Sequence, residues 1–238
     1  MQNKWYWIFR NIIFGPFLRV YNRPEIVGVD NIPSTGPAII ASNHQSVMDS
    51  FFLPLLCPRQ ITFLAKAEYF NGTTPVGRLQ KWFFTNVGQR PVNRTSASAG
   101  QDALNTAVEV LNDGDLFGIY PEGTRSPDGR LYKGKTGVAR IALASGAQVI
   151  PVAMIGTRDV NPIGTWFPRP GKVRVKVGDP IYPIEFVNNR GLERDSYEAI
   201  RALTDHIMRQ LQQLSGQEYV DVYAAEVKKA LAEGGDSS

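Results

Sequence analysis

Short apolar runs bounded by Gly, Pro, Asn or Asp recur along the chain and predict strands. They are "EIVGVDNIP" (25–33), "GPAIIASN" (36–43), "ITFLAK" (61–66), "FFTNVG" (83–88), "LFGIY" (116–120), "QVIPVAMIG" (148–156) and "KVRVKVG" (172–178). Between them the apolar spacing changes to the helical period. Ala97, Leu104, Val108 and Leu111 share one side of a helix over 96–112, and a second helix is expected near 136–145. Ile200, Leu203, Ile207, Leu211 and Leu214 mark a long amphipathic helix, with another expected from about 218 to 232. Strands alternating with helices predict an α/β fold, a sheet covered on both faces.

The first 23 residues read differently. Trp5, Ile8, Phe9, Ile12 and Ile13 follow the i, i+3, i+4, i+7, i+8 spacing of one helix face, and Gly15-Pro16 is expected to interrupt the helix. The apolar stretch is too short for a span of about 20 residues and lacks a secretory cleavage site. The same 23 residues hold Lys4, Arg10, Arg19 and Arg23 and no acid, which equals the net charge of +4 of the whole chain. Cations interleaved with aromatic rings predict a helix lying in a membrane interface and facing anionic lipid, not a nucleic-acid surface. The plainer alternative is that this face packs on the core.

Composition narrows the picture modestly. At 238 residues and 43% hydrophobic the chain supports one substantial core, and we expect a membrane-associating segment at 1–23 and one catalytic-sized domain at 24–233. One cysteine, Cys57, excludes an intramolecular disulfide framework and reads as a small buried residue. Two histidines 162 positions apart and one cysteine make no zinc pattern, so no metal site is expected.

Chemistry is expected at the strand ends. "NHQSVMD" follows the strand "AIIA"; there Asp49, in the first turns of a helix, reaches back to His44, fixes the ring tautomer and raises the basicity of the other nitrogen. Histidine and aspartate at this spacing also occur by chance. Ser46 lacks the G-x-S-x-G turn of a nucleophile elbow and reads as a cap or support. "YPEGTRSPDG" (120–129) presents Thr124, Arg125 and Ser126 after a strand, a set suited to a phosphate monoester, and "YKGKTG" adds Lys133 and Lys135. "GQRPVNR" (88–94) adds Arg90 and Arg94. No P-loop pattern is present, which disfavours nucleotide hydrolysis.

In this order "NHQSVMD", "GQRPVNR", "YPEGTRS" and "VIPVAMIG" resemble the four sequence blocks of the glycerolipid acyltransferases, over roughly residues 25–180. The third block with Gly123-Thr124 and the first with His44-Gln45-Ser46 resemble the 1-acyl-glycerol-3-phosphate branch more than the glycerol-3-phosphate branch. The resemblance implies a single-domain, mostly parallel mixed sheet flanked by helices. It further implies that His44 is the general base and Asp49 its orienting carboxylate. Glu122, Gly123, Thr124 and Arg125 would line the acceptor phosphate site together with Lys135. Arg90 and Arg94 are further candidates for acceptor binding, although the second block lacks the family's usual aromatic and aspartate before arginine. Pro151 would stand on the acyl-donor side. The implied reaction moves an acyl chain from acyl-CoA or acyl-carrier protein, as co-substrate and without a further cofactor, to the sn-2 hydroxyl of lysophosphatidic acid at the cytoplasmic face of a membrane. The alternatives are another lysophospholipid or alcohol as acceptor, or a non-catalytic lipid-phosphate-binding module.

Overall fold

Every residue of Ala38–Ser42 is buried, so this strand (β2) has no solvent face and must lie between two layers. In the computed structural model, which describes residues 3–93, 98–165 and 167–235, β2 is the middle strand of a seven-stranded sheet. Its companions are β1 (Glu25–Val27), β3 (Ile61–Lys66), β4 (Arg90–Val92), β5 (Leu116–Ile119), β7 (Gln148–Ile155) and β8 (Arg174–Val177). A short parallel pair, β6 (Leu131–Tyr132) with β9 (Tyr219–Val220), stands apart. The order is β1-β8-β7-β2-β5-β3-β4, parallel throughout except between β7 and β8.

Side chains alternate across the sheet into two cores. Ile39, Ala41, Phe117 and Val149 face α5 (Ala99–Asn112), α6 (Gly137–Ser145), α8 (Pro183–Asn188) and α9 (Tyr197–Ser215). Ala38, Ile40, Leu116, Ile150 and Val152 face α2 (Phe14–Asn22), α3 (Asp49–Leu56) and α7 (Thr157–Val160). Cys57 is fully buried in the second core, and burial pushes its thiol up to about 11, as suits an unreactive packing residue. The expected α/β class and two covered faces are thus present.

Three expectations are corrected. Residues 83–88 are not a strand: they end α4 (Pro75–Asn86) and its exit turn, the strand being the shorter β4 that follows. Thr74 caps α4 by accepting from the Gly77 N–H, with Pro75 in the first helical position. Phe83 and Phe84 then stack on Phe9, Tyr69 and Phe70, and these ring contacts override the strand preference of the segment. Near the C-terminus, β9 occupies the start of the expected last helix, which is α10 (Ala224–Gly235).

The third correction concerns the N-terminal helix, which Gly15-Pro16 does not interrupt. It runs from α1 (Lys4–Ile8) through a π turn (Phe9–Ile13) into α2. Pro16 has no N–H to give, and the wider turn before it absorbs the mismatch. An added residue per turn rotates the helix phase by about 100°, so the single stripe of the sequence splits into two. Tyr6, Phe9 and Leu18 turn to the core, where the Tyr6 hydroxyl donates to the Pro54 carbonyl at 3.1 Å and Arg10 Nε to the Leu55 carbonyl at 3.1 Å. Arg10 therefore faces α3 rather than outward. Trp5, Trp7, Ile12, Ile13, Phe17 and Val20 remain exposed, Val20 by 80%, and Trp5 stacks edge-on with the exposed Trp82 of α4. Among the described residues no helix is long and apolar enough to cross a membrane.

Candidate active site

Where β2 ends, Asn43 locks the strand to β7 with both ends of its amide: it donates to the Met154 carbonyl at 3.1 Å and accepts from the Met154 N–H at 2.7 Å. The chain leaving this anchor must turn at once into α3, which opens with Asp49. Asp49 is fully buried, and its Oδ2 accepts the Gln45 N–H at 2.6 Å and the Ser46 N–H at 2.8 Å while lying 2.9 Å from His44 Nδ1. An ionised carboxylate only accepts, so Nδ1 carries the proton and Nε2 presents its lone pair. His44 itself is 18% exposed. Its ring stacks on Tyr120 at 3.9 Å with planes 12° apart, and Tyr120 stacks in turn on Phe63. Ser46 supports the turn: its hydroxyl donates to the Asn161 carbonyl and accepts from the Met48 N–H, which removes it as a nucleophile.

The second loop is tied to the first through Glu122. Its Oε1 accepts the His44 backbone N–H at 2.9 Å and its Oε2 accepts the Tyr132 N–H at 3.0 Å. The Ser126 N–H returns a bond to the His44 carbonyl at 2.7 Å. Glu122 is fully buried, and burial pushes its carboxyl up to about 7 against the opposing effect of the two N–H donors. Both oxygens are thus engaged with backbone, and Glu122 holds the two loops in register rather than lining a ligand surface. The structure corrects the sequence reading on this residue. Arg158 of α7 clamps the same loop from outside, donating to the Ser126 carbonyl at 3.0 Å and the Pro127 carbonyl at 2.7 Å.

Gly123, Thr124 and Arg125 lie in the loop that Glu122 and Ser126 bond to the His44 backbone, and Lys135 lies across its turn. Gly123 turns with φ +74°, and a Cβ there would meet the Lys135 methylenes at 3.1 Å, so the glycine lets Lys135 run over the turn. Arg125 is half-buried, and Thr124 accepts from Lys228 Nζ at 2.8 Å. Lys228, Gln217 and Arg158 were missed in the sequence, where nothing distinguishes them from surface residues. Gln217 accepts from Asn43 and donates to the Gly129 carbonyl, both at 2.6 Å, and so joins the loops from below α9.

The remaining candidates fall elsewhere. Arg90 opens β4, three strands from β2 or roughly 14 Å across the sheet. It lines a separate cavity of about 620 Å³ with Arg59, Gln60, Thr62, Gln89 and Asp115, and is not brought to His44. Arg94 lies outside the described residues. Pro151 sits inside β7, its carbonyl accepting from Gly178 at 2.8 Å and its ring against that glycine. β8 bulges there, since Val177 pairs with Val152 but Ile181 bridges to Val149, and the bulge spares Pro151 the ladder N–H it lacks. Pro151 is thereby packed within the sheet. His206, the other histidine, rests on Phe186 at 4.9 Å, and burial followed by Arg209 and Arg190 lowers its basicity, in keeping with a structural residue.

The stretch that carries His44, Asp49 and the Gly123–Arg125 turn is similar in sequence to known proteins. The Acyltransferase family model matches residues 23–155, the stretch that holds both loops. The chain belongs to the acyltransferase family. Among relatives of this acyltransferase, the chloroplastic 1-acyl-sn-glycerol-3-phosphate acyltransferase LPAT1 of Arabidopsis thaliana is 32% identical over 74% of this chain and 47% of its own length. The 1-acyl-sn-glycerol-3-phosphate acyltransferase of Bacillus subtilis is 27% identical over 83% of this chain and 87% of its own. The crystal structure of the 1-acyl-sn-glycerophosphate (LPA) acyltransferase PlsC from Thermotoga maritima superposes with a TM-score of 0.63 and 29% identity, covering 83% of this chain and 75% of that one. The chain spans about half the length of the first plant relatives it matches.

Proposed function

We propose that this acyltransferase esterifies the sn-2 hydroxyl of 1-acyl-glycerol-3-phosphate with the acyl chain of an acyl-CoA or acyl-carrier-protein thioester, giving phosphatidic acid. The observation that carries the reading is the 2.9 Å contact between Glu122 and the His44 N–H, which fixes a phosphate-suited turn next to a histidine held in one tautomer. The acceptor's phosphate rests on Thr124 and Arg125 with Lys135 beside them, which brings its glycerol hydroxyl to His44. His44 Nε2 takes the hydroxyl proton as the oxygen adds to the thioester carbonyl. The resulting imidazolium is paired with Asp49 and stacked on Tyr120. Collapse of the tetrahedral intermediate breaks the C–S bond, and the thiolate leaves with the proton that His44 returns. No acyl-enzyme forms and no cofactor takes part. The names of the relatives support the acceptor; either thioester fits the chemistry equally.

The exposed Trp7, Ile12, Ile13, Phe17 and Val20, with Lys4, Arg19 and Arg23 beside them, support peripheral docking on anionic lipid at the cytoplasmic face of a membrane. The helix carrying them is bonded through Tyr6 and Arg10 to the end of α3, the helix that Asp49 opens. Docking would therefore hold the pocket at the surface where acceptor and product reside. The test is lipid product analysis of the purified protein with lysophosphatidic acid and each thioester donor. Phosphatidic acid bearing the donor chain at sn-2 is expected; free fatty acid alone, or acylation only of acceptors lacking phosphate, would refute the reading.

A further inference from the structure

The family match stops at Ile155, yet the chain after α9 returns to the site. Gln217 ties it to Asn43 and Gly129, β9 pairs with β6, Lys133 pairs with Asp221 at 3.0 Å, and Ala224 is buried at the start of α10. These contacts fix the helix that carries Lys228, whose Nζ donates to Thr124 Oγ1 at 2.8 Å. We propose that Lys228 is a direct ligand of the acceptor's phosphate and that α10 is the outer wall of the acceptor site. The proposal rests on the reading of the Thr124–Arg125 turn as a phosphate site.

Hydrogen-bond bookkeeping supports it. Lys228 Nζ has three donors and uses one on Thr124; Thr124 Oγ1, having accepted, keeps its own O–H to give. Both groups therefore keep surplus donors close to Arg125. Charge agrees. Burial first, and then the nearby Arg125, lower the basicity of Lys228, so cations gather here against their mutual repulsion. The ion pairs around α10 go to Lys133–Asp221 and Lys229–Glu233, and among the described residues no carboxylate pairs with Lys228. The nearest acid, Glu122, spends both oxygens on backbone N–H groups. A dianionic phosphomonoester supplies the charge that Lys228, Arg125 and Lys135 together call for.

Kinetics and labelling of the full chain test the assignment. Lys228→Met should raise KM for lysophosphatidic acid about 10- to 100-fold, the loss falling mainly on KM, because one charge-assisted contact is removed. Lys228→Arg should recover most of it, and Lys229→Met, one position away on the exposed side, should match the wild type. In the unaltered protein, an amine-reactive ester read by peptide mass spectrometry should label Lys228 at least fivefold more slowly when millimolar glycerol 3-phosphate is present, with Lys229 unaffected. A folded Lys228→Met protein with unchanged KM, or Lys228 labelling indifferent to glycerol 3-phosphate, would overturn the proposal. Protection of Lys228 in a protein that fails to acylate lysophosphatidic acid would refute the proposed reaction and leave this site standing; turnover without protection or KM change would do the reverse.

Discussion

Asp49→Asn isolates the charge of the pair from its geometry. The amide oxygen can take the place of Oδ2 and still accept from His44 Nδ1, Gln45 N and Ser46 N, so the turn keeps its bonds. What disappears is the negative charge facing the imidazolium as the acceptor hydroxyl gives up its proton. Two unit charges about 4 Å apart at an effective dielectric of about 20 attract by about 4 kcal/mol. A retained neutral hydrogen bond returns about 1 kcal/mol of that. The net of about 3 kcal/mol corresponds to a fall in kcat of roughly 100- to 1000-fold. Initial rates at saturating acceptor and donor measure it, with thermal melting as the control for folding. Asp49→Ala should differ in kind, since it leaves two buried N–H groups without an acceptor and costs a further roughly 2–5 kcal/mol of stability. An Asp49→Asn protein that melts like the wild type and keeps kcat within fivefold would refute the role given to the carboxylate.

Two further outcomes are expected. Glu122 has a folded value of about 7 against an ordinary 4.5, so the native state binds more protons than the unfolded chain between these values. Its contribution to stability is complete below about pH 4.5 and is lost, by up to about 3 kcal/mol, as pH rises through 7. Denaturant melts should therefore show the wild type losing stability relative to Glu122→Gln as pH rises from about 5 to about 8, and a difference independent of pH would contradict this. On the outer face of the N-terminal helix, Ile12→Ser with Ile13→Ser removes exposed apolar area without touching the core contacts of Tyr6 and Phe9. The double variant should lose at least tenfold in affinity for anionic vesicles by flotation while melting unchanged; undiminished flotation would sink the docking surface.

The centre of the sheet was legible because its strands are buried on both faces, and runs such as "AIIAS" and "VIPVAMI" therefore stand out without any partner in view. His44 and Asp49 were legible for a local reason: five positions across a strand-to-helix turn bring the side chains together within one loop. The failures were non-local. "FFTNVG" looks like a strand until Phe83 and Phe84 find the rings of the N-terminal helix and of Tyr69, contacts made across long separations. Glu122 sits within a loop that reads as a phosphate cradle, and only the fold shows its carboxylate turned inward to the His44 N–H. Arg90 reads in the sequence as following a strand, but what precedes it is α4, and Arg90 itself opens a strand at the sheet edge. Lys228 is one lysine of an amphipathic helix 104 positions from Thr124, and no periodicity in the sequence joins the two.

The central claim is that His44 Nε2 is the base for the acceptor hydroxyl, and a single comparison tests it most directly. Purified wild-type and His44→Ala proteins, each shown to be folded by melting, are given lysophosphatidic acid and a labelled acyl donor, and phosphatidic acid is quantified at saturating substrate. Removal of a positioned general base predicts a loss of about 100- to 10,000-fold in kcat with acceptor binding retained. A folded His44→Ala protein that forms phosphatidic acid at the wild-type rate would contradict the account.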